Sequence, residues 1–160
     1  MKRWVNNISD EYDHKMNKKI LIADIISGIL LLLFLYTALN KLGDHERFRF
    51  ALERSPLLKT FAGFIAIALP IAELLVALLL FIPLTRLTGL YAAFFLILLF
   101  TVYLVYMIAF SPDLPCSCGG ALSQLTWKQH IFFNLFFILL SLCGIFLYKK
   151  NKNRRSRPPP

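Results

Sequence analysis

Four long apolar runs dominate the chain, at about Ile20 to Leu39, Phe61 to Ile82, Gly89 to Phe110 and Ile131 to Tyr148. Each has the length, roughly 17–25 residues, that a helix needs to cross the hydrocarbon core of a bilayer. Lipid offers no hydrogen bonds to backbone N–H and C=O groups, so only helices or closed barrels satisfy them there. The runs are continuous, without the period-2 alternation of barrel strands, and therefore read as helices. Composition agrees. Hydrophobic residues make up 58% of the 160 and charged residues 17%, against roughly 45–50% and about 25% in soluble domains. Fifteen Phe would overfill the interior of a soluble globule of this length, and the exposed surplus would aggregate. A soluble enzyme, a disordered tail and a disulfide-dense secreted module are all disfavoured. The expected fold class is all-α: an integral membrane four-helix bundle over residues 20–148, with segment 1–19 before it and a basic tail, 149–160, after it.

The charge distribution orients the bundle. The net charge of +9 would suggest nucleic acid in a soluble protein. Here the cations crowd beside apolar runs, where membrane topology and anionic lipid headgroups place them, so lipid is the expected partner and nucleic acid is not. Residues 1–19, 83–88 and 149–160 carry twelve Lys and Arg together, whereas 40–60 and 111–130 carry six. Cytoplasmic loops hold the excess of positive charge, which places both termini in the cytoplasm. Nineteen residues precede the first run, and no small-x-small cleavage pattern follows it, so a cleaved signal peptide is not expected. Between the first two spans, Asp44 to Lys59 sets Phe48, Leu52 and Leu57-Leu58 among charges and reads as a short helix on the membrane surface. Ser55-Pro56 resembles an N-cap followed by Pro at the first helical position.

With this topology the connection between the third and fourth spans is extracytoplasmic, and it carries Pro115-Cys116-Ser117-Cys118-Gly119-Gly120. Thiols outside the cytoplasm are expected to oxidise or exchange. A Cys-x-Cys disulfide needs its Cα atoms within about 7 Å, hence a bend that Pro115 and the glycines can supply. So small a ring is expected to be strained, and strained, exposed disulfides are the labile ones. An inert structural bridge would restrain little chain entropy. A metal site needs about four ligands, and His45 and His130 lack the spacing, so none is expected. Cys116 and Cys118 are therefore the candidate redox pair. Cys143 lies about 18 Å down the fourth helix from Ile131, at 1.5 Å per residue, and reads as a small buried filler. Without a second external pair, electrons must pass to a partner protein, a quinone, or both. Thr126-Trp127-Lys128-Gln129 fits a capping box opening the fourth helix.

Ionisable residues within a span are costly and usually face the bundle interior. Glu73, the thirteenth of 22 residues in the second span, would stay neutral unless a cation reached it. Gly63, Ala66, Pro70, Glu73 and Ala77 follow steps of three and four, so they share a face along which a neighbouring helix can approach. Pro70 also frees the Ala66 carbonyl, leaving a polar break near Glu73. Glu73 has two readings: a proton or quinone-headgroup ligand, or a helix–helix hydrogen bond. His130 and Asn134 lie one turn apart; His130 either assists a thiolate or proton transfer or contacts headgroups. Lys41 either snorkels to the outer surface or reaches the cysteine loop. Asp24 reads as a water-facing or capping residue, and Tyr103, Tyr106 and Trp127 read as an aromatic belt.

Asn40-Lys41-Leu42 closing the first span, Pro70-Ile71-Ala72-Glu73-Leu74 in the second and the Cys-x-Cys-Gly loop before the fourth resemble the MauE/DoxX-like family of redox-associated membrane proteins. The resemblance covers roughly residues 20–148; the loop is its more specific part. It implies a four-helix bundle in the bacterial cytoplasmic membrane, with Cys116 and Cys118 as the redox pair. MauE members are associated with maturation of methylamine dehydrogenase, alongside a thioredoxin-like extracytoplasmic partner, and DoxX-type relatives link sulfur oxidation to quinone. The chain is thus expected to be a membrane thiol–disulfide redox protein, with a quinone left open as cofactor. The alternatives are a non-catalytic assembly factor that holds a partner redox enzyme at the membrane, and, with less support, a proton or small-solute carrier built around Glu73.

Overall fold

A computed structural model of the chain describes the backbone of residues 2–55, 57–110 and 127–155, and the side chains of 18–55, 57–109 and 129–150. Within these residues the fold is entirely helical: α1 (Lys2–Gly43), α2 (His45–Arg54), a single 3-10 turn (Lys59–Phe61), α3 (Ala62–Phe81), α4 (Arg86–Phe110) and α5 (Trp127–Arg155). Four of the helices are long and apolar enough to cross a membrane: Lys18–Gly43 of α1, Lys59–Phe81 ending with α3, Arg86–Ala109 of α4 and Gln129–Lys150 of α5. They coincide with the four runs expected from the sequence, the second and third ending one residue earlier. α1 also continues N-terminally beyond its span, back to Lys2.

The four long helices form a ring in which α1 packs on α3 and α5, and α4 packs on the same two from the opposite side. The core is a set of helical stripes: Ile26, Leu30 and Phe34 from α1, Val76, Ala77 and Leu80 from α3, Leu90, Ala93 and Ile97 from α4, and Phe137, Ile138 and Ile145 from α5. Steps of three and four residues bring each set to one side of its helix. The opposite sides are no less apolar. Phe64 is 74% exposed, Leu99 68% and Phe132 73%, an outward-facing hydrocarbon surface that water would not tolerate and lipid matches. The chain is a multi-pass membrane protein. Hydroxyls inside the spans bond back to their own helices, Ser27 Oγ to the Ala23 carbonyl at 2.9 Å, Thr101 to Ile97 at 2.7 Å and Ser141 to Ile138 at 2.8 Å, so no buried hydroxyl among them is left unpaired.

Cross-bundle contacts define two ends. At one, Arg86 at the start of α4 pairs with Asp24 of α1, and the Tyr148 hydroxyl of α5 donates to the Pro83 carbonyl. At the other, α2 lies across α3, burying Phe48 and Leu52, one turn apart, against Ala62 and Ala66. Its charges face away and pair among themselves, Arg49 with Glu53 at 2.9 Å and Arg47 with Asp44 at 3.1 Å. The short amphipathic helix expected in this segment is present.

Several details differ from expectation. Ser55 does not cap the second span. It is the extended C-cap of α2, its N–H donating to the Leu52 carbonyl, and α3 begins seven residues later at Ala62. It is fully buried, with its hydroxyl 3.6 Å from the Met107 sulfur, because α2 is folded onto the bundle. On α3 the inward face holds Ala66, Pro70, Glu73 and Ala77 as expected, but starts at Ala62, with Gly63 exposed. α3 continues as one helix through Pro70. Cys143 is exposed rather than buried: on α5 the inward positions are Ile138, Ser141 and Ile145, and residue 143 falls between them. The proposed cap at Thr126, the loop cysteines Cys116 and Cys118 and the Trp127 side chain lie outside the described residues.

Candidate functional site

Lys41 continues the buried stripe of α1. Ile26, Leu30 and Phe34 are followed at helical spacing by Thr37 and Lys41, so the last turn of α1 aims its lysine into the bundle. Glu73 occupies the same kind of position on α3. The two meet: Lys41 Nζ donates to Glu73 Oε1 at 2.7 Å, with Lys41 4% and Glu73 7% exposed. The ammonium also lies 3.5 Å from the Thr37 carbonyl and 5.8 Å from the centre of the Phe48 ring, so α2 covers it with an aromatic face suited to a cation. Neither snorkelling nor a free protonated carboxyl describes this arrangement. The cation that Glu73 requires is supplied by Lys41, which turns inward.

The ion pair borders a cavity of about 790 Å³ between the long helices beneath α2. Phe34, Thr37, Lys41, Glu73, Phe100 and Asn134 are among its walls, which are otherwise mostly aliphatic and aromatic. Tyr103 and Tyr106, expected in an aromatic belt, are half-buried and also line it. Among the described residues, two polar atoms of these walls are buried without a hydrogen-bond partner, Glu73 Oε2 and Asn134 Nδ2. His130, one turn before Asn134, is 2% exposed and packs with its ring 6.3 Å from that of Phe100. Its Nδ1 also lacks a partner. His130 is thus an interior residue of the α4–α5 seam and is held away from headgroups.

Of the sequence-derived candidates, the fold brings Lys41 and Glu73 into contact and sets His130 and Asn134 on the inward face of α5 at the same end of the bundle. Cys116 and Cys118 lie in sequence between α4 and α5, outside the described residues. Asn134 as a cavity wall and Thr37 beside the ammonium were missed as site residues. Both lie on inward stripes, a signal available from helical spacing once the helices are placed.

A second ion pair gives an internal comparison. Asp24 and Arg86 join α1 to α4 with side chains 40% and 17% exposed, and Arg86 Nε also donates to the Leu80 carbonyl at 3.3 Å. Partly solvated pairs are worth about 0–1 kcal/mol. Asp24→Asn should therefore lower stability in detergent unfolding by no more than about 1 kcal/mol; a loss several times larger would mean that this pair is sealed from water.

Compared with known proteins, residues 19–147 match the family model of the methylamine utilisation protein MauE. No curated protein and no solved structure matches the chain.

Proposed function

The chain belongs to the MauE family, a membrane protein associated with methylamine utilisation, and from this premise we propose that it is a thiol–disulfide exchange protein that supports disulfide formation or maturation of an extracytoplasmic partner. The observation that carries the proposal is that two cysteines separated by one residue, Cys116 and Cys118, lie in the sequence between α4 and α5 of a MauE-family chain. The membrane is the bacterial cytoplasmic membrane, with both termini on the cytoplasmic side and the cysteine connection outside.

In the exchange a thiolate of one protein attacks a disulfide sulfur of the other. The S–S bond breaks, a mixed disulfide forms, and the second thiolate of the attacking pair then bonds to its partner cysteine and expels the other protein's sulfur. The dithiol loses two electrons and two protons, and the former disulfide retains them as two thiols. Cys116 or Cys118 takes the attacking role and the other resolves. Electrons pass between a thioredoxin-like extracytoplasmic protein and either the quinone pool or a donor on the cytoplasmic side. His130, the fourth residue of α5, is the described histidine nearest to the pair along the chain and is its candidate proton partner.

Thiol trapping in cells, in a Cys143→Ser background, tests the proposal. Cys116 and Cys118 should shift between reduced and bridged states on adding and removing reductant, and a membrane-impermeant reagent should reach them from outside. A pair that stays reduced, or stays bridged, removes the exchange role. Labelling only after lysis would place the loop in the cytosol. Cys116→Ser with Cys118→Ser should abolish maturation of the partner; full activity in that double variant would instead mark a non-catalytic assembly factor.

A further inference from the structure

Thiol exchange leaves the cavity beneath α2 without a role. Its volume of about 790 Å³ falls within the roughly 300–1,000 Å³ of small-molecule sites, which are typically apolar with a few placed polar groups. Its walls fit that pattern: aromatic rings of Phe34 and Phe100, with the Lys41–Glu73 pair and Asn134 among the few polar groups. The polar groups are not all satisfied. Glu73 Oε2 can accept a hydrogen bond and Asn134 Nδ2 can donate one, yet each is buried without a partner among the described residues, with Glu73 and Asn134 both only 7% exposed. Native proteins rarely leave such atoms unpaired.

We propose that this cavity binds a membrane-soluble molecule with an uncharged, hydroxyl-bearing head group and an apolar body. The hydroxyl chemistry is assigned by the two open positions: the head group must donate to Glu73 Oε2 and accept from Asn134 Nδ2, and hydroxyls do both. A carbonyl head only accepts and would leave Oε2 unpaired, and an ammonium head only donates and would leave Nδ2 unpaired. The head is uncharged because Lys41 already balances Glu73, so a further charge would be buried without a counter-ion. The apolar body lies against the Phe34 and Phe100 side of the cavity, within the membrane span. The phenolic ring of a hydroquinone and the glyceryl hydroxyls of a monoacylglycerol share this chemistry. A hydroquinone here would belong to the quinone pool that the thiol reading names, but binding is tested separately from that reading, since no cysteine takes part.

The test is equilibrium binding to the full chain in lipid nanodiscs, carried out in the Cys116→Ser, Cys118→Ser background so that no probe reacts with a thiol. Four probes with matched alkyl tails suffice: a benzoquinol kept reduced under argon, its benzoquinone, a monoacylglycerol, and an alkylbenzene without oxygen. At least one hydroxyl probe should bind about tenfold or more tighter than both the benzoquinone and the alkylbenzene, the factor expected for one added hydrogen bond to a charged group. Preference for the benzoquinol identifies a ring-hydroxyl ligand, and preference for the monoacylglycerol a lipid one. Asn134→Leu should weaken the hydroxyl probe by about tenfold and leave the alkylbenzene unchanged. Neither hydroxyl probe binding tighter than the benzoquinone and the alkylbenzene, or no binding of any probe to the parent chain, overturns the proposal. Because the probe series is read on the parent chain, a variant that fails to fold does not blunt the test.

Discussion

Lys41→Met should destabilise the folded chain by about 3–5 kcal/mol, the cost of removing one partner from a buried ion pair. The substitution keeps the length and apolar stem of the side chain, so little of the loss can come from packing. What remains is a Glu73 carboxyl, 7% exposed, facing a hydrocarbon interior without the ammonium at 2.7 Å. Glu73→Leu should cost a similar amount by stranding Lys41. The double variant should recover most of either loss, because replacing both charges by apolar groups removes the desolvation penalty together with the attraction. Reversible unfolding in detergent, run as a double-mutant cycle, gives the coupling directly. Additive single effects would show that the two side chains do not depend on one another, and losses no larger than that of Asp24→Asn would show that water reaches the pair.

The second large effect is expected at Gly89, where α4 crosses α3 backbone to backbone. A Cβ there would stand 2.8 Å from the Leu80 nitrogen and 2.9 Å from the Leu79 carbonyl carbon. Those are main-chain atoms of a neighbouring helix and cannot rotate away. Gly89→Leu must push α3 and α4 apart at a level where Leu80 and Leu90 are 1% and 0% exposed. A loss at or beyond the upper end of the about 1–3 kcal/mol typical of overpacking is expected, seen as a lower unfolding midpoint and less monodisperse protein. Gly144→Ala is the control. Its Cβ would meet side-chain atoms, Ile26 Cγ2 and Leu90 Cδ2, both at 3.1 Å, and these can give way, so the change should cost about 1 kcal/mol or less. Equal stability of the two variants would mean that the α3–α4 crossing is looser than drawn.

Much of the architecture was legible from local pattern. The four runs became four spans because apolar length set against bilayer thickness needs no knowledge of neighbours. Phe48 and Leu52, one turn apart among charges, announced a helix with one wet side. Glu73 was recognisable as inward-facing because small residues surround it at helical spacing. Expectation failed where the choice was between faces of equally apolar helices. Cys143 lies two residues from Ser141 and two from Ile145, both inward, and no hydropathy contrast tells its own side from theirs. Tyr103 and Tyr106 carry the composition of an interfacial belt, yet their side of α4 borders the cavity. Ser55-Pro56 has the chemistry of a helix start, but the folding of α2 onto α3 made Ser55 the end of the preceding helix.

The number of crossings, the helical class and the short amphipathic segment follow from the chain alone, since backbone hydrogen bonding in lipid leaves a run of some twenty apolar residues one way to satisfy itself. Which charges meet does not. Lys41 and Glu73 are 32 positions apart, and each had a plausible partner elsewhere: the headgroups for one, a bound proton for the other. Only the ring order that sets α1 beside α3 brings them within hydrogen-bond reach, and only the placement of α2 seals the lysine under Phe48. Hydrocarbon makes membership of the membrane a property of each segment, whereas the pairing of its few buried charges is a property of the assembled bundle.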